Sequence, residues 1–263
     1  MQNQNTKEIH AKVVADLAKV STLASPTEFH YLLHDLNKKE KLLRCYSQNI
    51  DGIEGKVGFN MDPPLSPSNP CIPLHGSLHF LHCIVCASTH LLQNHHAILA
   101  SGHFPLCHLC QRRQDEQSAS HRLRQIGQLR PDIVLYGEDH PQGEAIAAAH
   151  RHDLTLDLLI VVGTSLKVPG TANLIKGFSK HLHKSGLQRS IYINKTAPSK
   201  EWHNIFDVFV QGDCQTFAKT LRNSLGTSPS IPDHYEKENN SHVVAYLEDV
   251  EVRQDFRPSW RWI

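Results

Sequence analysis

Apolar positions along the chain follow two periods, and the switches between them mark its elements. Ile9, Val13, Val14 and Leu17 recur at helical spacing, which predicts an amphipathic helix with those side chains on its apolar face. Ser25-Pro26-Thr27 then offers a capping residue and a Pro ahead of Phe29, Leu32, Leu33 and Leu36, the signature of a second helix start. Leu42 to Tyr46 is a short apolar run read as a strand. It ends abruptly in Gln48, Asn49 and Asp51, as a strand does where it delivers polar groups to a site at its carboxyl end. Between Gly52 and Leu74 lie Pro63, Pro64, Pro67, Pro70 and Pro73 with several Ser and Asn, which excludes a continuous helix or central strand and predicts a surface loop.

The second half repeats the alternation. Leu129 to Glu138 reads as a short buried strand closed by Gly137, and an Ala-rich helix follows near Ala145 to His150. Leu156 to Val162 is the clearest strand, apolar on both faces and therefore expected at the centre of a parallel sheet. A helix to about His183, a strand from Ser190 to Lys195, the run Phe206 to Val210 and a helix closing near Leu225 complete the pattern. Helices alternating with strands make α/β with a parallel sheet the default architecture. Beyond Gly226 a Pro/Ser-containing linker precedes a candidate strand, Val243 to Val252.

Composition narrows this little. A chain of 263 residues with 40% apolar content can bury a full core, as one large domain or two small ones. A formal charge of +1 gives no global reason to expect nucleic acid or a membrane surface as partner. No segment approaches the roughly 18 apolar residues of a membrane span, and Met1 to Asn5 have neither the basic start nor the apolar centre of a signal peptide. The expectation is an intracellular soluble protein.

Four of the seven cysteines change the picture. Cys83-x-x-Cys86 and Cys107-x-x-Cys110 stand 20 residues apart, a spacing that brings two thiolate pairs around one tetrahedral Zn²⁺. A closed four-cysteine site is structural, and it suits a reducing compartment better than a disulfide framework does. Histidines at positions 79, 82, 90, 95, 96, 103 and 108 crowd the same stretch, so a mixed Cys/His set stays open, with four thiolates the simpler choice. The insert up to Arg124 alternates charges and has no basic strip interleaved with aromatics, so direct nucleic-acid binding is not indicated.

Two further clusters carry chemistry. Asn49 and Asp51 ahead of Gly52 are ordinary turn formers when taken alone. Followed by Leu74-His75-Gly76-Ser77 they read as a site instead. Most of the 20 histidines must be surface or packing residues, but a neutral imidazole near pH 7 can accept a proton, and His75 is the candidate base. Gly163-Thr164-Ser165, at the end of the clearest strand, either lets a ligand approach the backbone and offers two hydroxyls, or is a plain strand-to-helix turn with a Ser cap.

The order Gln48-Asn49-Ile50-Asp51-Gly52, Leu74-His75-Gly76-Ser77, two Cys-x-x-Cys pairs, Arg130 to Glu138, Gly163-Thr164-Ser165-Leu166-Lys167-Val168 and Tyr192-Ile193-Asn194-Lys195 resembles the sirtuins, NAD-dependent protein-lysine deacylases, and most of all their fungal histone-deacetylating branch. The resemblance runs from about Ser25 to Leu225. It implies a Rossmann-like parallel sheet with a small zinc-ribbon insertion, in which residues 1–76 and 129–225 form the NAD-binding domain, 77–128 the zinc ribbon and 226–263 a C-terminal extension. It implies that Gln48 and Asn49 reach a ribose and a water, that Asp51 holds the nicotinamide carboxamide, and that Gly163, Thr164, Ser165, Asn194, Lys195 and Cys214 contact the rest of NAD. Val134, Tyr136 and Gly137 would line the acyl-lysine tunnel, with Leu135 where relatives usually carry Phe, and the substrate peptide would pair with this segment as an added strand. In the implied reaction the acyl-lysine carbonyl oxygen displaces nicotinamide from the ribose. His75 then activates the ribose hydroxyl that captures the acyl group, which gives deacylated lysine and an acylated ADP-ribose. The implied partner is an acetylated histone and the implied place the nucleus.

One part of the family pattern is absent. Sirtuins begin with a strand running into a Gly-Ala-Gly-x-Ser loop, whose backbone N–H groups surround the pyrophosphate, and a Pro-Asp-Phe-Arg segment follows. Neither occurs in these 263 residues. The sheet is therefore expected without its first strand and loop. Three readings follow: a deacetylase whose start lies outside this sequence, a catalytically impaired sirtuin-like binding or scaffold protein, and a zinc-ribbon protein of unrelated function.

Overall fold

The structure, a computed structural model, describes residues 4–66, 68–116, 125–187, 189–226 and 252–253. In chain order the elements are α1 (Gln4–Leu23), α2 (Glu28–Lys38), β1 (Cys45–Ser47), β2 (Cys71–Pro73), β3 (Gly76–Cys83), β4 (Thr89–Leu91), α3 (His96–Ala100), α4 (His108–Asp115), β5 (Leu129–Ile133), α5 (Gly143–His152), β6 (Leu159–Val162), α6 (Pro169–Lys184), β7 (Ser190–Asn194), β8 (Val208–Gln211), α7 (Cys214–Ser224) and β9 (Val252–Arg253). They pack as two compact units. The first comprises Met1–Pro26 with Arg44–Ile146, the second Thr27–Leu43 with Ala147–Ile263.

In the first unit β1 and β2 pair in parallel, Cys45 opposite Cys71 and Ser47 opposite Pro73. A separate antiparallel sheet runs in the order β4-β3-β5. Its β3 loses register with β5 between Ser77 and Leu81, a bulge beside the candidate site. The core of the unit joins α1 to the cysteine module: Ala11, Val14, Ala15 and Ala18 pack with Leu78, Leu81, Cys83, Leu92, Leu99, Cys107, Cys110 and Leu129. This corrects the expected face of α1. Ile9, Val13 and Leu17 are exposed, and only Val14 of the predicted four is buried. The stripe 11-14-15-18 has helical spacing too, and its alanines let the helix approach the sheet closely. Lys56 closes the far end of α1, with Nζ donating to the carbonyls of Ser21, Thr22 and Ala24 at 2.8, 2.8 and 2.5 Å.

The Pro-rich stretch is also more than a surface loop. Ile53–Val57 forms a 3₁₀ turn, and Ile53, Glu54, Val57, Phe59, Met61 and Leu65 are buried before the chain enters β2. Prolines forbid a long element there, but they do not forbid burial.

In the second unit β6, β7 and β8 are parallel and β9 pairs antiparallel with β8. Val161, Leu166, Ile175, Tyr192, Trp202, Phe206 and Phe209 make the core, with Tyr192 stacked between Phe206 and Phe209 at 5.0 and 5.7 Å. Helices α2 and α7 are joined through Arg222, almost wholly buried, which binds Glu28 at 2.6 Å and Asp35 at 2.8 Å. Thr27 precedes α2 as expected, its N–H donating to His30 Nδ1 at 3.1 Å. Strand β6, expected at the centre of the sheet, stands at its edge among the described residues, and Leu158 just before it is 43% exposed. A doubly apolar run marks a strand with both faces covered and says nothing of how many neighbours it pairs with. The candidate strand at Val243 to Val252 lies outside the described residues except for Val252, which opens β9.

Candidate functional site

The polar sequence after β1 is held by the segment around His75 through a ladder of its own backbone carbonyls. Leu74 N–H donates to Ser47 O at 2.7 Å and Leu78 N–H to Ile50 O at 2.8 Å. Between them His75 Nδ1 lies 3.0 Å from Gln48 O, and beyond them His79 Nε2 lies 3.0 Å from Asp51 O. A carbonyl can only accept, so both imidazoles must donate at those atoms. For His75 this places a proton on Nδ1, so that in the neutral ring Nε2 carries the lone pair, the tautomer a general base requires. Two local bonds shape the loop itself: Asn49 N–H to Ser47 Oγ at 3.2 Å, and Ile53 N–H to Asp51 Oδ1 at 3.1 Å. Gln48, Asn49, Asp51 and His75 are thus brought together by short-range stitching.

The same segment reaches β5. Gly76 has φ +77°, and a Cβ there would collide with the Asp132 carbonyl, so only glycine lets β3 and β5 approach here. One residue earlier, Val134 N–H donates to His75 O at 3.0 Å. Val134, Tyr136 and Gly137 follow on a turn in which Glu138 N–H donates to Leu135 O, Leu135 N–H to Glu138 Oε2 at 3.1 Å, and Arg130 Nη2 to both Glu138 oxygens at 2.9 Å. The Arg130 hydrogen bonds hold the Glu138 carboxyl below its usual range. Val134 borders a pocket of about 180 Å³ that also takes in Asp132, Glu138 and His140. Tyr136 is 97% exposed.

Cys83, Cys86, Cys107 and Cys110 place their Sγ atoms within 4.8 Å of one another. Cys83 and Cys110 are 3.7 Å apart, as are Cys86 and Cys107. A tetrahedron with Zn–S of about 2.3 Å has edges of about 3.8 Å, so the donor set fits Zn²⁺. Val85 and Cys86 N–H groups both point at Cys83 Sγ from 3.4 Å, the second-sphere donors that orient a ligating thiolate. The Ser88 hydroxyl, 3.1 Å from Cys86 Sγ, draws that thiol down to about 6, whereas burial pushes Cys83 up to about 12; a cation favours the thiolate at both. His90 Nε2 lies 3.7 Å from Cys107 Sγ and 2.8 Å from Ser88 Oγ. It stands outside the group of four sulfurs that lie within 4.8 Å of one another.

In the second unit the remaining predicted residues collect at the carboxyl ends of three adjacent parallel strands, the side on which open α/β sheets bind ligands. Gly163, Thr164 and Ser165 follow β6, with Gly163 N–H on Ile193 O at 3.0 Å and Tyr192 Oη donating to Thr164 O at 2.8 Å. Asn194 ends β7 and donates to Thr196 O and Oγ1, both at 3.1 Å. Lys195 Nζ lies 3.4 Å from Asp213 Oδ2. Cys214 begins α7, its thiol pushed up by burial. Sequence reasoning missed Tyr192 as the tether of the Thr164 turn and His79 as a partner of Asp51. The only signal for His79 was its place two residues after Ser77.

The fold is a Rossmann-like parallel sheet in one unit, with a four-cysteine module and a histidine-bearing polar loop in the other. The family profile described as Sir2 family matches residues 2–170. The chain is 36% identical over 242 residues to the NAD-dependent histone deacetylase HST3 of Candida albicans, covering 85% of this chain and 50% of that protein. It is 36% identical over 217 residues to the NAD-dependent protein deacetylase hst4 of Schizosaccharomyces pombe, covering 80% and 52%. Among solved structures, a Sir2 protein with a p53 peptide and NAD⁺ superposes with a TM-score of 0.60 at 25% identity, covering 79% of this chain and 73% of that one. The chain belongs to the Sir2 family, and it spans about half the length of these two curated relatives. Among the described residues no helix is long and apolar enough to cross a membrane.

Proposed function

We propose that this chain carries the chemistry of an NAD-dependent protein-lysine deacetylase acting on acetylated histones in the nucleus. The observation that carries the reading is the His75–Gln48 bond: in the neutral ring it leaves the lone pair on Nε2, in a segment stitched by backbone bonds to the loop that carries Asn49 and Asp51. NAD is the co-substrate that supplies the ribose acceptor. Gln48 and Asn49 would reach its ribose and a water, Asp51 would hold the nicotinamide carboxamide, and Gly163, Thr164, Ser165, Asn194, Lys195 and Cys214 would hold the remainder. Amide and carboxylate side chains suit a carboxamide, which presents both donors and an acceptor. His75 Nε2 takes the proton of the ribose hydroxyl that captures the acyl group. Val134, Tyr136 and Gly137 receive the acyl-lysine, and Zn²⁺ on the four cysteines is structural. Residues 1–76 with 129–225 form the NAD-binding part, 77–128 the zinc ribbon and 226–263 an extension, a division by role that differs from the division by packing. The names of the fungal relatives, NAD-dependent histone and protein deacetylases, support the substrate class and the nuclear placement.

A second reading is a zinc-containing binding or scaffold protein without turnover, supported by a four-cysteine cluster that needs no co-substrate to form. One experiment separates the two. Purified zinc-loaded protein is titrated calorimetrically with NAD and assayed for nicotinamide release with an acetylated histone peptide. Turnover that falls by a factor of about 10² or more in His75→Ala establishes the enzyme. Peptide binding without nicotinamide release favours the scaffold.

A further inference from the structure

Outside the residues assigned above, a further side chain, that of His79, touches the candidate nicotinamide loop. His79 lies on the bulged part of β3, where the strand loses register with β5. Its backbone N–H is turned onto Ser77 Oγ at 3.2 Å, and its ring reaches the Asp51 carbonyl through Nε2 at 3.0 Å. The ring also occupies the space beneath Gly52: a Cβ built there would collide with His79 Cδ2 and lie 2.6 Å from Nε2. Gly52 has φ +65°, which turns the chain sharply into the 3₁₀ helix at Ile53. The Asp51 side chain spends Oδ1 on the Ile53 N–H at 3.1 Å. The direction of the Asp51 carboxylate is therefore set by two peptide units, and His79 holds one of them by a hydrogen bond and by contact.

We propose that His79 is a positioning residue for Asp51, acting through the 51–52 peptide to aim the carboxylate that receives the nicotinamide carboxamide. This rests on the deacetylase reading given above. Other groups near the loop do not share the role: Leu78 N–H serves Ile50, and His75 Nδ1 serves Gln48. A ring nitrogen that donates to a backbone carbonyl can be replaced by the amide of a glutamine, which offers a donor at comparable reach. An alanine cannot supply one.

The test uses zinc-loaded full chain with His79→Ala, His79→Gln, Gly52→Ala and the double variant. Two readouts are taken on each: steady-state KM values for NAD and for acetylated peptide together with nicotinamide inhibition, and hydrogen exchange of the amides at residues 51–53. In His79→Ala the KM for NAD and the inhibition constant for nicotinamide rise together by about fivefold to tenfold, as expected for losing one partly buried hydrogen bond, while the KM for peptide holds. His79→Gln recovers most of that loss. Gly52→Ala harms NAD binding more in the wild-type background than beside His79→Ala, because the collision is with the ring. Exchange at 51–53 quickens in His79→Ala whether or not the protein turns over, so positioning is read even from an inactive chain. An inactive wild type with quickened exchange in the variant overturns the deacetylase reading alone. Unchanged exchange, or NAD and peptide KM values rising equally with no recovery in His79→Gln, overturns the proposal.

Discussion

The two units reach order by different means. The first has short strands, a core rich in alanine and cysteine, and a polar loop fixed by carbonyl-to-histidine and carbonyl-to-amide bonds. The second has a register-perfect parallel sheet and a core of stacked aromatics around Tyr192. Three of the four clustered cysteines sit in the core of the first unit among its leucines and alanines, which ties that core to the sulfur cluster, whereas large aromatic surfaces pack the second. His75, the proposed base, sits in the first unit, where its ring is placed by a directed bond to the Gln48 carbonyl.

Removing zinc is the strongest way to break this contrast. Chelation, or Cys107→Ser, is expected to cost the first unit on the order of 10 kcal/mol. By hydrogen exchange, β3 and β5 should lose protection while β6 to β8 keep it, and simultaneous loss in both would show that the units fold as one. Second comes Arg222, the buried cation between Glu28 and Asp35. Arg222→Met strands two carboxylates and should destabilise the second unit by about 3 kcal/mol in urea unfolding, leaving zinc content unchanged. Third, Tyr192→Phe removes the bond to Thr164 O and should cost about 1 kcal/mol. A loss no larger than that of a surface substitution would mean that the aromatic stack alone fixes the turn. The smallest effect is in pH. Burial against Gly177 and Phe178 lowers the pKa of His150, so the unfolded chain binds its proton more readily than the folded one does. Stability of the second unit is then complete above about 6.5 and declines as pH falls below it. His150→Leu should flatten that slope in a pH series of thermal melts.

The features legible in the sequence are those written in local spacing. Cys83-x-x-Cys86 and Cys107-x-x-Cys110 need only turn geometry to meet, and the sulfurs do meet. Gln48, at a strand end as read, meets His75 through its carbonyl. Less legible were features set by a partner. Both stripes of α1 have helical period, and the choice of Ala11, Val14, Ala15 and Ala18 follows from how closely β3 approaches, which no periodicity records. The burial of Glu54 and Phe59 in a Pro-rich stretch, and the edge position of β6, likewise depend on what lies alongside. The part played by His79 needed the bulge in β3, and bulges leave little trace in an apolar pattern.

The bond from Val134 N–H to His75 O has a consequence for how such a protein can diversify. His75, the proposed base, and the ledge proposed for the substrate share one backbone hydrogen bond, so a change that shifts the backbone at Val134 is felt at once at His75. Under the proposed function, preference for new peptides would then arise from side chains that leave this amide where it stands, at exposed positions such as Leu135 and Tyr136. Selectivity could drift there while the hydrogen bond between His75 and Val134 stays still.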